Sequence, residues 1–232
     1  MKFLGQYNGV IGNQAINSTH PIFAGVKALY QNNGNSVVDL EPNNPANQMV
    51  LSHANGQGLI AVFEDKSIKA GVAYTVRSKL HGFVLEVQGN NREPRTPIVS
   101  GPLNGTGAPN QQWQFVPVSG SAGTYLISSM LNNFVIDITG SNTAPITPVI
   151  AYPTNGPSGT PNQQWELVAV PNTENTYLIK TKLNGFVLDI EGSHRTAGAR
   201  VISYPVNGAN GTSNQHWELV PIPKDQNYSS VL

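Results

Sequence analysis

Carboxylate, aromatic and amide side chains recur in the same order in two stretches of the chain. An aspartate between apolar residues is followed 15 residues later by a tyrosine, and an Asn-Gln pair begins ten residues after that. The two sets are Asp137, Tyr152, Asn162 and Gln163, and Asp189, Tyr204, Asn214 and Gln215. A carboxylate accepts hydroxyl hydrogens, an amide donates and accepts, and an aromatic ring covers an apolar face. These groups would hold a neutral sugar ring, which carries hydroxyl groups in fixed directions beside a face of C–H groups.

Catalytic and metal-binding chemistry is not supported by the spacing of the ionisable residues. Glu86, Asp137 and Asp189 occupy equivalent positions in three repeated stretches. Symmetry would hold them far apart, whereas glycoside hydrolysis needs two carboxyl groups within roughly 5 to 10 Å. The five histidines show no metal-ligand spacing, and the sequence contains no phosphate-binding loop, nucleophile elbow or aspartate-rich calcium loop. We therefore expect no catalytic residues, no metal and no cofactor, and a protein that is not an enzyme.

The elements that must position these side chains follow a threefold internal repeat. Trp113, Trp165 and Trp217 are separated by 52 residues, and each ends a Gln-x-Trp motif. Upstream of each tryptophan the same series recurs: a tyrosine-led strand, a short apolar strand with the carboxylate, a third apolar strand and an Asn-Gly turn. The pattern predicts about four short strands in each repeat.

Three four-stranded units favour a β-trefoil over a propeller. A propeller needs at least four blades, whereas three units can close a barrel that is capped by hairpins. Closure removes exposed sheet edges and lets the repeats share one core. We therefore predict an all-β chain: a β-trefoil of three Gln-x-Trp repeats with the tryptophans in its core, and an additional N-terminal β segment.

The three in-phase Gln-x-Trp motifs, each with a carboxylate in its second strand, resemble the ricin B-type (R-type) family of β-trefoil lectins. The resemblance covers residues 74–224, about two thirds of the chain. It implies that the aspartate of each set takes paired sugar hydroxyls, that the tyrosine stacks on the ring and that the Asn-Gln pair completes the hydrogen bonds. It also implies a multivalent lectin that binds galactose- or N-acetylgalactosamine-type termini of glycoproteins or glycolipids and agglutinates cells.

The first repeat departs from the pattern. Glu86 replaces the aspartate and Gly101 stands where the tyrosine is expected, although Asn110 and Gln111 remain. A carboxylate that is one methylene longer would push a sugar out of the pocket, and a missing ring would leave the apolar face of the sugar wet. We therefore predict two sugar sites in each chain. We also expect both site aspartates to lie at the surface, so that their replacement leaves the fold intact.

The chain is expected to divide into a β segment at residues 1–72, the lectin-like domain at residues 73–224 and a C-terminal tail at residues 225–232. Val38-Asp39-Leu40-Glu41, followed by Val50-Leu51-Ser52, is similar to part of the third repeat, so one interpretation of the β segment is a degenerate fourth repeat that lacks Gln-x-Trp. The alternative is an oligomerisation module that forms a homodimer, because a β unit of this size is marginal alone.

Composition limits the partners. The chain has 13 basic and 13 acidic residues, and charged residues make up 11% of it, far below the usual share of about 25%. This argues against a nucleic-acid partner. No apolar run reaches the roughly 18 residues of a membrane helix, so we expect no membrane insertion. Cysteine is absent, which excludes disulfides. The N-terminus resembles no secretory signal, which predicts a cytoplasmic protein or export without a leader.

Two other functions stay open at the level of the sequence. Some β-trefoils inhibit proteases through a protruding loop, and the loop at residues 155–161 is long enough for that role. The second alternative is the glycan-targeting subunit of a toxin or hemagglutinin complex, with residues 1–72 docking a partner. A protease inhibition assay beside a glycan-binding assay tests the first, and isolation of a stable heteromeric complex would favour the second.

Overall fold

The computed structural model describes residues 68–105 and 107–222, together with the backbone of six strands between residues 2 and 63. The chain divides into two units, Met1–Ser67 and Ile68–Leu232. Each unit is built from short antiparallel strands. Among the described residues, no helix has the length and apolar character that crossing a bilayer requires.

The described part of the first unit consists of six strands. They are β1 (Lys2–Tyr7), β2 (Gly12–Ala15), β3 (Ala28–Gln31), β4 (Asn35–Asp39), β5 (Asn47–Ser52) and β6 (Gly58–Phe63). They form three antiparallel pairs: β1 with β4, β2 with β3 and β5 with β6. The two interpretations of this segment, a degenerate fourth repeat and an oligomerisation module, stay predictions.

The described part of the second unit contains twelve strands in three sets of four, which we call repeats one, two and three. Repeat one has β7 (Ala73–Ser78), β8 (Val84–Val87), β9 (Thr96–Gly101) and β10 (Trp113–Pro117). Repeat two has β11 (Thr124–Ser129), β12 (Val135–Ile138), β13 (Thr147–Tyr152) and β14 (Trp165–Ala169). Repeat three has β15 (Thr176–Thr181), β16 (Val187–Ile190), β17 (Ala199–Tyr204) and β18 (Trp217–Pro221).

A tight turn joins the first and second strands of every repeat. At its third position Gly82, Asn133 and Gly185 have φ angles of 82°, 62° and 79°. This is the left-handed region, which glycine and asparagine tolerate better than other residues. The turn therefore accounts for the Gly or Asn before Phe in each repeat, and it returns the chain so that the second strand begins beside the first.

The first and fourth strands of the repeats close a six-stranded barrel. Five-residue antiparallel ladders join β10 to β11, β14 to β15 and β18 to β7, so that each repeat is bonded to the next. Shorter pairings within the repeats join β7 to β10, β11 to β14 and β15 to β18. Because β18 pairs with β7, the barrel has no open edge.

The second and third strands form one hairpin in each repeat, and the three hairpins cap the barrel. The hairpins are β8–β9, β12–β13 and β16–β17. Their third strands also pair with one another, β13 with both β9 and β17, and β17 with β9. This is a β-trefoil, and the predicted fold class is confirmed.

The tryptophans connect the barrel to the hairpins. All three are 0% exposed, as the sequence predicts. Each indole N–H donates to a carbonyl of the second strand, at distances of 2.9 to 3.0 Å; the acceptors are Leu85, Ile136 and Leu188. Each indole buries a large apolar area, and because its N–H is hydrogen-bonded, no buried donor is left unpaired. The Gln-x-Trp motif is therefore a core element of every repeat.

Candidate functional site

The third repeat places a buried carboxylate next to two amide side chains. Asp189 lies in β16 and is 3% exposed. Asn214 Nδ2 donates a hydrogen bond to Asp189 Oδ1 at 2.9 Å, and Gln215 Nε2 donates to Oδ2 at 2.8 Å. Because an amide N–H engages each carboxylate oxygen, the direction of the remaining lone pairs is fixed.

The second repeat has the same arrangement. Asp137 lies in β12, is 4% exposed and accepts a hydrogen bond from Gln163 Nε2 at 2.8 Å. Asn162 Nδ2 donates to the Ile138 carbonyl next to Asp137 at 3.2 Å, and its amide helps to lower the pKa of that carboxyl. The structure thus brings together the predicted aspartate and the predicted Asn-Gln pair in both repeats.

A single 3-10 turn carries both amides of each site. It spans Pro161–Gln163 in repeat two and Ser213–Gln215 in repeat three, shortly before the tryptophan strand. The asparagine side chain ties this turn to the second strand, because it also donates to the carbonyl of Ile138 at 3.2 Å or of Ile190 at 3.3 Å. The Asn-Gln-x-Trp sequence therefore directs two amides to the carboxylate and the indole to the core.

The glutamines have no N–H group left for a ligand. In repeat two, the same Gln163 Nε2 donates to the Pro153 carbonyl at 2.9 Å, and the Gln163 carbonyl accepts the backbone N–H of Asn155 at 2.9 Å. Gln215 makes the equivalent contacts in repeat three. Both glutamines are fully buried. They hold the carboxylate and the adjacent loop together, and a direct contact between either of them and a sugar stays a prediction.

The polar floor of the site in repeat three consequently offers a ligand only hydrogen-bond acceptors. The Asn214 N–H groups are engaged by the carboxylate and a main-chain carbonyl, as the Gln215 N–H groups are. What remains is the set of unused lone pairs on the carboxylate oxygens. A ligand that bonds this floor must therefore bring hydroxyl or other donor hydrogens of its own.

The site tyrosines end the third strands and lie on the same side of their hairpins as the aspartates. In the β12–β13 hairpin, Tyr152 is opposite Val135 and Asp137 is opposite Ile150. Paired residues share a face, as do alternate residues along one strand, so Tyr152 and Asp137 are diagonal neighbours on one face. The β16–β17 hairpin places Tyr204 in the same way. Both tyrosines are half-buried, which leaves part of each side chain free for a ligand.

Burial controls the electrostatics of the two aspartates. Removal from water raises the pKa of both carboxyls above the ordinary value of 3.8, while the amide hydrogen bonds act in the opposite direction. At Asp189 the negative charge of Glu191 raises the pKa further. An ionised carboxylate held in this way favours a ligand that donates hydrogen bonds to it.

The expectation that Asp137 and Asp189 lie at the surface is wrong. The 3-10 turn packs on the second strand and its two amides cover the carboxylate, so that each aspartate is almost fully buried. Removing an aspartate therefore leaves buried amide N–H groups without an acceptor, which destabilises the fold.

Repeat one keeps the Asn-Gln pair and a carboxylate, but the longer side chain of Glu86 fills the space of the pocket. Gln111 Nε2 donates to Glu86 Oε2 at 2.7 Å, and Asn110 Nδ2 donates to the Val87 carbonyl at 3.0 Å. A Cβ atom at Gly101 would lie only 2.8 Å from Glu86 Cδ and Oε1. The longer carboxylate thus occupies the space in which the side chain of a tyrosine would begin, so the two replacements are sterically coupled.

Thr160 and Thr212 belong to the sites although the sequence analysis did not single them out. Thr160 Oγ1 donates to Asn162 Oδ1 at 2.7 Å, and Thr212 Oγ1 donates to Asn214 Oδ1 at 2.6 Å. A signal was available, because Thr stands two residues before the Asn in repeats two and three and Ala108 stands there in repeat one. Among the described residues, no group of three or more His, Cys, Asp or Glu side chains is arranged to hold a metal.

Three four-stranded repeats, a closed barrel and a carboxylate held by an Asn-Gln-x-Trp motif define a β-trefoil of the lectin type. A family model described as ricin-type β-trefoil lectin domain-like matches residues 62–152 and 161–229. The chain belongs to this family, and the suspected resemblance is confirmed. Lectin domains bind carbohydrates without transforming them, so membership of this family points to a non-enzymatic, carbohydrate-binding role.

Solved structures support the fold. The designed threefold-symmetric protein ThreeFoil is similar with a TM-score of 0.56 and 27% identity, over 64% of this chain and 97% of that protein. An exo-β-1,3-galactanase from Clostridium thermocellum gives a TM-score of 0.59 and 24% identity, over 72% of this chain but only 33% of the enzyme. A ricin B-like lectin from Macrolepiota procera, solved with lactose, gives 0.54 and 19%, over 66% of this chain and 98% of the lectin.

Proposed function

We propose that the chain is a lectin that binds galactose- or N-acetylgalactosamine-type termini of glycoproteins and glycolipids through two sites, in repeats two and three. One observation carries this proposal: each of these repeats has a buried, amide-held aspartate and a half-buried tyrosine on the same face of one hairpin. Repeat one has neither the aspartate nor the tyrosine.

The chemistry of the pocket fits a neutral sugar. An acceptor-only floor takes hydroxyl hydrogens, and the uncompensated carboxylate would repel phosphate or carboxylate ligands. The tyrosine ring offers an apolar surface for C–H groups. A galactose-type ring presents an uninterrupted C–H face because its axial hydroxyl lies on the opposite side. The lactose bound by the Macrolepiota lectin and the galactan substrate named for the galactanase also favour a galactoside.

Binding at one such site is expected to be weak, since few atoms are desolvated and much of each hydrogen bond replaces one to water. Two sites on one particle raise the avidity, because the second contact forms at a high effective concentration. We therefore propose that the protein crosslinks cell-surface glycans and agglutinates cells. A homodimer formed through the N-terminal segment would carry four sites, and sedimentation of the full chain measures its oligomeric state.

A glycan array probed with the intact protein, followed by calorimetry with the best ligand, tests the proposal. We expect galactose-type termini to be selected and about two sites per chain. Tyr152→Ala and Tyr204→Ala should each remove one site, because each removes the ring of one pocket. Met130→Ala, at an exposed position outside the pockets, is the control and should keep both sites. Absence of glycan binding, or unchanged stoichiometry in both tyrosine variants, would contradict the proposal.

A further inference from the structure

Two short chains of hydrogen bonds run from the surface to the buried aspartates. In repeat two, Asn155 Nδ2 donates to Thr160 Oγ1 at 3.3 Å, and that hydroxyl donates to Asn162 Oδ1 at 2.7 Å. In repeat three, Asn207 Nδ2 donates to Thr212 Oγ1 at 3.1 Å, and that hydroxyl donates to the carbonyl oxygen of the site asparagine at 2.6 Å. The two bonds from the surface asparagine through the threonine to the site asparagine are therefore present at both sites, and in repeat three the site asparagine continues the relay to Asp189 Oδ1 at 2.9 Å.

The direction of the relay determines which end of the asparagine amide meets the carboxylate. A threonine hydroxyl that accepts from one amide has its own hydrogen free for the next acceptor, and successive bonds of this kind polarise one another. The hydroxyl of Thr212 occupies Asn214 Oδ1, so Nδ2 is turned to Asp189 Oδ1 at 2.9 Å. A reversed amide would set two oxygen acceptors against each other.

We propose that Thr160 and Thr212 are positioning residues of the two sugar sites, each orienting the site asparagine so that its N–H groups hold the aspartate as a hydroxyl acceptor. The inference rests on the proposed function. It adds two residues that act on the carboxylate through the site asparagine.

Repeat one shows what the frame looks like without the hydroxyl. Ala108 stands at the equivalent position, and Asn110 donates to the Val87 carbonyl. Among the described residues, Gln111 is the side chain that donates to Glu86. The repeat that lacks the aspartate and the tyrosine thus also lacks the threonine, and its asparagine ties the turn to the second strand.

The position of the threonines also argues against a mere packing role. Thr160 is half-buried and Thr212 is exposed, so neither fills the core. Replacing the hydroxyl by a methyl group in valine nearly keeps the size of the side chain and removes its hydrogen bonds to the two asparagines. A loss of sugar affinity in such a variant would report on the relay.

A one-site protein gives the cleanest test. In a Tyr204→Ala background, which leaves repeat two as the working site, Thr160→Val should weaken galactoside binding about threefold to tenfold, the effect of one lost hydrogen bond. Thr160→Ser should restore the parental affinity, because serine carries the same hydroxyl. Thr212→Val and Thr212→Ser in a Tyr152→Ala background are the matched pair for repeat three.

The pH profile separates positioning from packing. Burial raises the pKa of Asp137, while the amides of Gln163 and Asn162 act to lower it. With a misoriented asparagine one lowering contact weakens, so the acid limb of the binding curve should move to higher pH in Thr160→Val and return in Thr160→Ser. A merely structural role would lower the melting temperature and leave this limb in place.

Three outcomes would overturn the inference. If Thr160→Val binds like its background with an unchanged acid limb while Tyr152→Ala removes the site, the threonine is not a positioning residue although the sugar site stands. If valine and serine weaken binding equally and both lower the melting temperature, the role is structural. If the parent binds no galactoside on the array, the proposed function fails first and this inference fails with it.

Discussion

Repeat one shares the Gln-x-Trp contacts of repeats two and three but has a different pocket. In all three, the glutamine of Gln-x-Trp donates to the carboxylate and to a proline carbonyl, and the indole N–H donates to the second strand. The pocket positions differ: Glu86, Gly101 and Ala108 stand in repeat one where the others have Asp, Tyr and Thr. The tryptophan and glutamine contacts are thus kept where the pocket residues change, whereas the second-strand carboxylate belongs to both groups, because it holds the glutamine as well as facing the pocket.

The largest effect should come from the shared frame and should be equal in all repeats. Trp113→Ala and Trp165→Ala should each lower the free energy of unfolding by about 3 to 5 kcal/mol, because each leaves a large cavity in the common core. Chemical denaturation measures both. A clearly smaller loss for Trp113→Ala would show that repeat one is not an equal part of the core.

The carboxylates should distinguish the repeats. Asp137→Ala and Asp189→Ala should each reduce the affinity of one site about fivefold to 150-fold, since a lost hydroxyl acceptor costs about 1 to 3 kcal/mol. Each should also lower stability, because the amides around the aspartate lose their acceptor. Calorimetry and thermal melts give the two numbers.

Glu86→Ala is the matched control for the aspartates, and we expect it to bind sugar like the parent protein. The double aspartate variant should not agglutinate cells. Undiminished agglutination by the double variant, or loss of all binding in Glu86→Ala, would move the binding site away from these pockets.

Rebuilding repeat one turns the comparison into a gain of function. Gly101→Tyr alone should fail, because its Cβ would lie 2.8 Å from the Glu86 carboxylate. Combined with Glu86→Asp and Ala108→Thr, the same change should raise the calorimetric stoichiometry from about two sites to about three. If Gly101→Tyr alone creates a site, the steric coupling between positions 86 and 101 is wrong.

Acid should weaken binding and strengthen the contribution of the aspartates to stability. Burial raises the pKa of Asp137 and Asp189 in the folded chain above 3.8, so the folded chain binds protons more readily than the unfolded chain. Their contribution to the free energy of unfolding therefore grows as pH falls through the raised pKa values and is lost as pH rises through them. Sugar binding follows the ionised form and should fade in the same interval. Binding that persists down to pH 3.8 would contradict the shift.

The smallest effect concerns a strained residue before the third strand. Ile146 has a φ of 64° and is 51% exposed, whereas repeat three has Gly198 with a φ of 81° at the same position. Ile146→Gly should raise the free energy of unfolding by about 0.5 to 1 kcal/mol, the strain relieved less the entropy cost of glycine. Gly198→Ile should lower it by about 1 to 2 kcal/mol. Destabilisation by Ile146→Gly would show that the isoleucine makes compensating contacts.

The periodic tryptophans were sufficient to predict the trefoil, because a fixed interval between core residues reports on symmetry directly. The grouping of Asp, Tyr and the Asn-Gln pair followed from their matched positions in the repeats together with the family resemblance. The burial of Asp137 did not, since it depends on how a 3-10 turn packs on the preceding hairpin, which no local pattern encodes. Thr160 was missed because it touches no group that looks chemical by itself, and only its contacts show its place.

The β18–β7 ladder that closes the barrel has a mechanical consequence. Tyr74 pairs with Pro221, and the Ile222 N–H donates to the Ala73 carbonyl at 2.8 Å, so the chain enters and leaves the trefoil at adjacent points. A force applied between these two points would act on the end of the β18–β7 ladder and break its hydrogen bonds one after another. Pulled between its two ends, the trefoil should therefore open first at this seam, before the ladders that join the other repeats are loaded.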